Sequence, residues 1–413
     1  MTSKGIQRTA PLIWCACLLV SSTLMALIWP IFTDEVAWKW ITSRFWLDSG
    51  QAISLYPQCL SQKPTNVPFL FIPIRILEAL LYGTAQSIFL LRWIGVLNFF
   101  CNGFLFWQLT QAIARVRRLN PKETFLGISA IGFFGVLPFL LSMNRPEQVL
   151  VFCLLLFAWF PLVEAKSRIQ KWGLSFGFCT VSLLFFSQHA KGLFFLPLVL
   201  FSSWSLQISK KNRWIVSACA FALASQCFLF FTEHTQCQNQ FIQEAFGKMM
   251  ISPGAILTSP LETFLGMVQN GFHVVDYIRN ILISDVYPQQ WLPTNYGFSL
   301  GTQIVNGLIQ LFFVLWISAC AWGILTRARI DGAVPTFLNL MGLGIVIGVL
   351  GMAVFQSGKS FYDSALVVPL VIILGITFID KEVMRLLGKG AFILGTASVG
   401  LMAYRLWPSV KND

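Results

Sequence analysis

Two adjacent carboxylates, Asp34 and Glu35, follow directly on a stretch from Thr9 to Thr33 that carries no charge. A helix needs about 20 apolar residues, at about 1.5 Å each, to cross hydrocarbon, so the stretch reads as a membrane span. An acidic side chain next to lipid costs a few kcal/mol, and a pair there calls for water, a partner or a task. Such a pair could accept a proton, bind hydroxyls or hold a divalent ion. It also suits a helix start, with Thr33 as cap and the carboxylates in a first turn that favours negative charge.

Three further groups could act on an anion. Arg145-Pro146-Glu147 opens one apolar segment, Gln188-His189-Ala190-Lys191 joins two others, and Lys359-Ser360-Phe361-Tyr362-Asp363 precedes a fourth. Each taken alone reads as a cation anchoring a helix end at the membrane surface. Together, Arg145, Lys191 and Lys359 can hold a lipid-linked phosphate at the interface beside a carboxylate. His189 is one of three histidines, and His234 and His273 lack ligand-like spacing to it, so no metal centre is predicted.

The elements that must position these groups are helices in a membrane. Charged residues make up 11% of the 413, against roughly 25% in soluble domains, and the mean hydropathy is +0.70. Long apolar blocks exclude a β-barrel, whose strands alternate over short segments. Spans fall at about 10–32, 87–112, 123–141, 147–163, 172–187, 191–207, 214–231, 301–325, 333–355, 362–379 and 390–407. The fold expected is a single all-α polytopic membrane domain over 1–413, with about eleven transmembrane helices. Residues 66–82 are apolar but contain Pro68, Pro73, Arg75 and Glu78; they read as an interfacial amphipathic helix, the alternative being a twelfth span that would invert every later loop. Trp38, Ile41 and Phe45 suggest a second one earlier in the same loop.

The net charge of +12 follows the topology. Loops on the side of the N-terminus hold seventeen of the 29 basic residues and few of the acids. By the positive-inside rule this side is cytoplasmic, Asp34-Glu35 faces outward, and nucleic-acid binding is not implied. Two loops dominate the outward face, at 33–86 and 232–300. The second carries amides and aromatics such as Gln289, Gln290, Trp291 and Tyr296, which suit sugar hydroxyls and ring faces as well as any structured loop. Cytoplasmic loops are short and contain no phosphate-binding glycine loop, which disfavours an ATP-driven pump. Cys59 and Cys237 lie in the outward loops, either paired or as separate thiols; the other eight cysteines fall within spans. The first span is too long for a cleavable signal peptide and lacks a small-residue cleavage site.

At Asp34-Glu35, Arg44, Gly50, Lys63-Pro64, Pro68, Gly83 and Arg92, and at Arg145-Pro146-Glu147, His189-Ala190-Lys191-Gly192 and Lys359-Ser360-Phe361-Tyr362, the chain resembles the GT-C superfamily. These are integral-membrane glycosyltransferases that use polyprenyl-phosphate sugars; the branch resembled contains the aminoarabinose transferases and protein O-mannosyltransferase-like enzymes. The resemblance runs in order over about 10–210, with a separate match near 359. It departs in the 63–68 loop, where a second proline is displaced to Pro68, and in carrying no large soluble domain after Trp407.

The resemblance implies transfer of a sugar from a polyprenyl-phosphate donor to a hydroxyl of a glycan or lipid, such as an O-antigen. The site would lie on the periplasmic face of a bacterial cytoplasmic membrane. Asp34 would act as general base and Glu35 would position it or bind a sugar hydroxyl. Arg145, Lys191 and Lys359 would hold the donor phosphate, with Arg44, Arg92, Glu147, His189 and Tyr362 binding substrate. No cofactor is required, although a divalent ion could sit at Asp34-Glu35. A flippase for a lipid-linked saccharide, or an O-antigen polymerase or ligase, are the competing readings. Charges gathered at one face, with Arg92 the main exception inside a span, favour interfacial chemistry over passage.

Overall fold

The computed structural model describes residues 16, 19–24, 27–28, 51–52, 65–66, 68–84, 88–120, 124, 128–234, 253–283, 300–330, 336–356 and 361–411. Asp34, Glu35, Arg44, Gly50, Cys59, Cys237, Lys359 and the amides of the second loop named above lie outside these residues.

The chain is built from helices: α1 (Ile72–Thr84), α2 (Ile88–Val116), α3 (Leu137–Ser142), α4 (Pro146–Trp159), α5 (Arg168–Gln188), α6 (Leu196–Ser205) and α7 (Lys210–His234). They continue as α8 (Pro253–Thr258), α9 (Pro260–Phe272), α10 (Asp276–Arg279), α11 (Leu300–Ile330), α12 (Thr336–Phe355), α13 (Phe361–Phe378) and α14 (Lys381–Lys411). The only strands among the described residues are β1 (Gln51–Ala52) and β2 (Thr65–Asn66), one short antiparallel pairing in the first large loop.

Among the described residues, six helices are long and apolar enough to cross a membrane: Leu90–Val116, Arg168–Gln188, Lys210–Phe230, Leu300–Thr326, Thr336–Phe355 and Lys381–Tyr404. Shorter apolar helices occupy Pro146–Leu162, Ala190–Ser205 and Tyr362–Phe378. The protein is therefore an all-helical membrane protein. Its surface agrees: Phe104, Trp172, Phe176, Phe221 and Trp322 are exposed along these helices, as lipid-facing side chains must be. Residues 72–84 form a 13-residue helix, too short to span at about 1.5 Å per residue.

The segment expected to span at 123–141 is not one helix. A 3₁₀ turn over Ala130–Phe133 is separated from α3 by a bend at Gly135, whose φ of 53° lies in the left-handed region. A Cβ there would stand 1.8 Å from the Ile281 carbonyl oxygen, so only glycine fits. The groups freed by the break find partners. Val136 N–H donates to Ile281 O at 2.8 Å, and Gly135 N–H donates to Ser398 Oγ at 2.7 Å. Such a break survives at membrane depth only where protein satisfies the backbone.

Close helix contacts rest on glycine. A Cβ at Gly344 of α12 would lie 2.6 Å from Leu198 Cα of α6, and one at Gly95 of α2 would lie 2.0 Å from Ser142 O at the end of α3. Membrane helices pack through small residues because lipid supplies no hydrophobic drive between them. Arg117, just past α2, donates to Ile376 O at 2.5 Å and Ile379 O at 2.8 Å, joining the C-terminal ends of α2 and α13.

Candidate functional site

At the opposite end of α13, three segments converge. Pro146, with its φ preset for the first helical position and no N–H to lose, starts α4 after an extended Arg145. Gln148 closes this start by accepting from Arg145 N–H at 3.2 Å and donating to Leu140 O at 3.0 Å. The chain leaves α5 through an extended His189 and enters a 3₁₀ helix over Ala190–Phe195 that leads into α6. Helix α13 begins with Phe361, Tyr362 and Asp363. Glu147 and Asp363 thus sit in first turns, where the backbone N–H groups favour negative charge.

Lys191 lies between the two carboxylates. Its Nζ donates to Glu147 Oε1 at 2.6 Å and stands 2.7 Å from Asp363 Oδ1. All three side chains are buried, both carboxylates being 1% exposed. Arg145 closes the other side: its Nε is 3.5 Å from Glu147 Oε2, and its guanidinium carbon lies 4.1 Å from the centre of the Tyr362 ring. Two cations thus face two carboxylates, and the buried charges balance.

His189 Nδ1 accepts from Lys191 N–H at 3.1 Å, which places the neutral ring's proton on Nε2. Burial first, and then the Lys191 ammonium, push its pKa down to about 4, so His189 is neutral at pH 7. Next to it, Gln188 Nε2 donates to Glu78 Oε1 at 2.5 Å. Glu78 is paired in turn with Arg75 at 2.8 Å, and Arg75 also donates to Ser187 O at 2.5 Å. Helix α1 is fastened in this way to the end of α5. On the far side, Tyr277 of α10 donates to Gln356 Oε1 at 3.3 Å. Burial, and then the Asp363 carboxylate, raise its phenol well above the usual range.

Arg145, Glu147, His189, Lys191 and Tyr362, each expected from sequence, are therefore brought together. Arg92 is buried in α2, its guanidinium carbon 4.9 Å from the centre of the Phe139 ring in α3. Asp363 and the Arg75–Glu78–Gln188 chain were not expected in the site. A carboxylate at the mouth of an apolar segment was the signal for Asp363, because burial there requires a cation. The expectation for Lys191 changes as well. Its charge is balanced by two carboxylates inside the protein, so its first task is to join α4, α6 and α13.

Among the described residues, no group of three or more His, Cys, Asp or Glu side chains is placed to hold a metal ion. An apolar cavity of about 460 Å³ is lined by residues that include Leu19, Phe106, Trp107, Leu137, Leu155 and Asn102, and by none of the cluster's side chains. Asn102 Nδ2 donates to Gln148 O at 3.2 Å, so the cavity's polar corner lies against the residue after Glu147.

Fold and site define an all-helical membrane protein with a charge-balanced ionic cluster where several apolar helices end. No family model, curated protein or solved structure matches the chain.

Proposed function

We propose that the chain is a GT-C-type glycosyltransferase, moving a sugar from a polyprenyl-phosphate donor to a hydroxyl of a surface glycan or lipid. The observation carrying this reading is the convergence of Arg145, Glu147, His189, Lys191 and Tyr362 from three separate segments, the positions at which the sequence resembles that superfamily. In this reading the eleven predicted spans place the cluster and the Asp34-Glu35 pair on the same outward face, periplasmic in a bacterial cytoplasmic membrane.

Asp34 takes the proton of the acceptor hydroxyl as that oxygen attacks the anomeric carbon. The bond from that carbon to the phosphate oxygen breaks, and the polyprenyl phosphate leaves with the electron pair. Glu35 positions the base or binds a sugar hydroxyl. The leaving phosphate gains charge and needs cations rather than a proton; Arg145 and Lys359 serve, and Lys191 holds the platform on which Arg145 rests. The apolar cavity lined by Trp107, Leu137 and Leu155 suits the hydrocarbon of an amphiphile. A divalent ion at Asp34-Glu35 is compatible with the scheme and not required by it.

The test is sugar transfer in proteoliposomes with a panel of polyprenyl-phosphate sugars, comparing the native chain with Asp34→Asn. A positioned base contributes about 10²–10⁴-fold, so the folded variant should lose at least a hundredfold in release of polyprenyl phosphate. If neither protein releases it while both move the labelled lipid across the bilayer, a carrier replaces the transferase. Polymerisation or ligation of a lipid-linked glycan would replace it if only whole saccharide chains were transferred.

A further inference from the structure

The second large outward loop contains a helix whose polarity is reversed relative to a soluble protein. In α9, Thr263 and Asn270 are buried, and Asn270 Nδ2 donates to Val354 O at 3.1 Å. Val354 is in the last turn of α12, whose final carbonyls have no partner within their own helix. A polar side chain of α9 thus caps the end of a membrane-spanning helix and fixes α9 at the level where α12 ends.

The opposite face of α9 is apolar and uncovered. At about 100° per residue, Leu261, Phe264, Leu265, Val268 and Phe272 fall on one stripe, roughly opposite Thr263 and Asn270. Leu261, Phe264, Leu265 and Phe272 are 59% to 77% exposed. Leu257 in α8 is exposed just before them. Glu262 and Gln269 are also exposed and lie a quarter turn away, on the flank. The stripe continues a surface that must already meet lipid, because α12 exposes Leu343, Ile347 and Leu350 along its length.

We propose that α8 and α9 are seated in the bilayer interface, with phospholipid acyl chains covering the stripe, so that this part of the outward loop is part of the membrane-embedded body. The polar turn that follows, where Asp276 meets His273 at 3.0 Å and Arg279 at 3.3 Å, returns to water. Within that turn Tyr277 reaches Gln356, and beyond it Ile281 O receives the N–H of Val136. The loop is therefore held to the helical body at the end of α12 and at the Gly135 break. This inference is independent of the glycosyltransferase reading.

The test places the photoreactive residue p-benzoylphenylalanine at Phe264, Phe272 or Gln269. The full chain is reconstituted in vesicles of phosphatidylethanolamine and phosphatidylglycerol and irradiated. Mass spectrometry should find phospholipid adducts at 264 and 272 several-fold above those at 269. Cross-links from 264 and 272 to a second copy of the chain, or to other protein, would overturn the proposal and make the stripe a protein interface. Equal lipid labelling at all three positions, or none at any, would overturn it too.

Discussion

Lys191 and Asp363 meet at 2.7 Å from opposite halves of the chain, and the same ammonium bonds Glu147 at 2.6 Å. Burying two carboxylates at helix starts calls for cations: Lys191 faces both, and Arg145 also faces Glu147. The contact thus ties the start of α4 and the start of α13 to the 3₁₀ helix that leads into α6.

Lys191→Met should accordingly destabilise the protein before it affects any substrate. Removing one member of a buried ion pair leaves uncompensated charge and costs about 3–5 kcal/mol. Asp363→Asn should cost less, since Glu147 keeps both Lys191 and Arg145. The double variant Lys191→Met/Asp363→Asn should be more stable than the sum of the two effects, with a coupling of about 1–3 kcal/mol. Unfolding of the four proteins in detergent measures this; strict additivity would mean that the 2.7 Å contact has no energetic content.

The membrane class and most helix positions were readable from sequence because apolar length is a direct physical requirement of the bilayer. Nine of the eleven predicted spans coincide with described helices, while 10–32 lies mostly outside the described residues; the Arg145-Pro146-Glu147 turn starts α4, and His189–Lys191 joins α5 to the 3₁₀ helix before α6. The break at Gly135 was hidden: the residues around it are as apolar as a span, and the partners that allow the bend, Ile281 and Ser398, are distant in sequence. Pairing was hidden for a similar reason. Hydropathy marks Lys191 as a cation at a surface, whereas burial between Glu147 and Asp363 is a tertiary fact. Helical periodicity puts the apolar residues of α9 on one stripe, but only the bond from Asn270 to Val354 tells which face is turned outward.

Tyr362 should matter through its ring rather than its hydroxyl. The Arg145 guanidinium lies over that ring at 4.1 Å, and such contacts contribute about 0.5–2 kcal/mol. Tyr362→Phe should keep Arg145 in place, while Tyr362→Leu should release it. In the transfer assay Tyr362→Leu should raise the donor KM by about 2- to 30-fold, with Tyr362→Phe close to the native chain. Equal effects of the two would assign the role to the hydroxyl.

His189 predicts an acid limit to stability. Its pKa is pushed down to about 4 in the folded protein, against an ordinary value of 6.5. Below pH 6.5 the unfolded chain takes up a proton that the folded chain refuses, so this contribution is complete near pH 7 and declines as pH falls toward 4. Protonation of Nδ1 would also remove the acceptor for Lys191 N–H. The unfolding midpoint should therefore fall between pH 7 and 5, and His189→Asn should reduce that fall; an unchanged slope in the variant would place the acid sensitivity elsewhere.

Arg117 should be required for the end of the protein away from the cluster. Helix α13 leaves carbonyls unpaired at its C-terminus, and the guanidinium of Arg117 takes those of Ile376 and Ile379 with two separate nitrogens. The forked geometry suits both acceptors at once, which a single ammonium cannot copy. Hydrogen bonds to a charged donor contribute about 1.5–3 kcal/mol each where they are protected from water. Arg117→Ala should thus lower stability by about 2–4 kcal/mol, and Arg117→Lys should recover less than half of it. Because α13 carries Tyr362 and Asp363 at its other end, Arg117→Ala should also loosen the cluster. Hydrogen exchange would report this as faster exchange at Ile379 and, more weakly, at Gly192. Faster exchange at Ile379 alone would show that α13 frays locally and does not transmit the loss along its length.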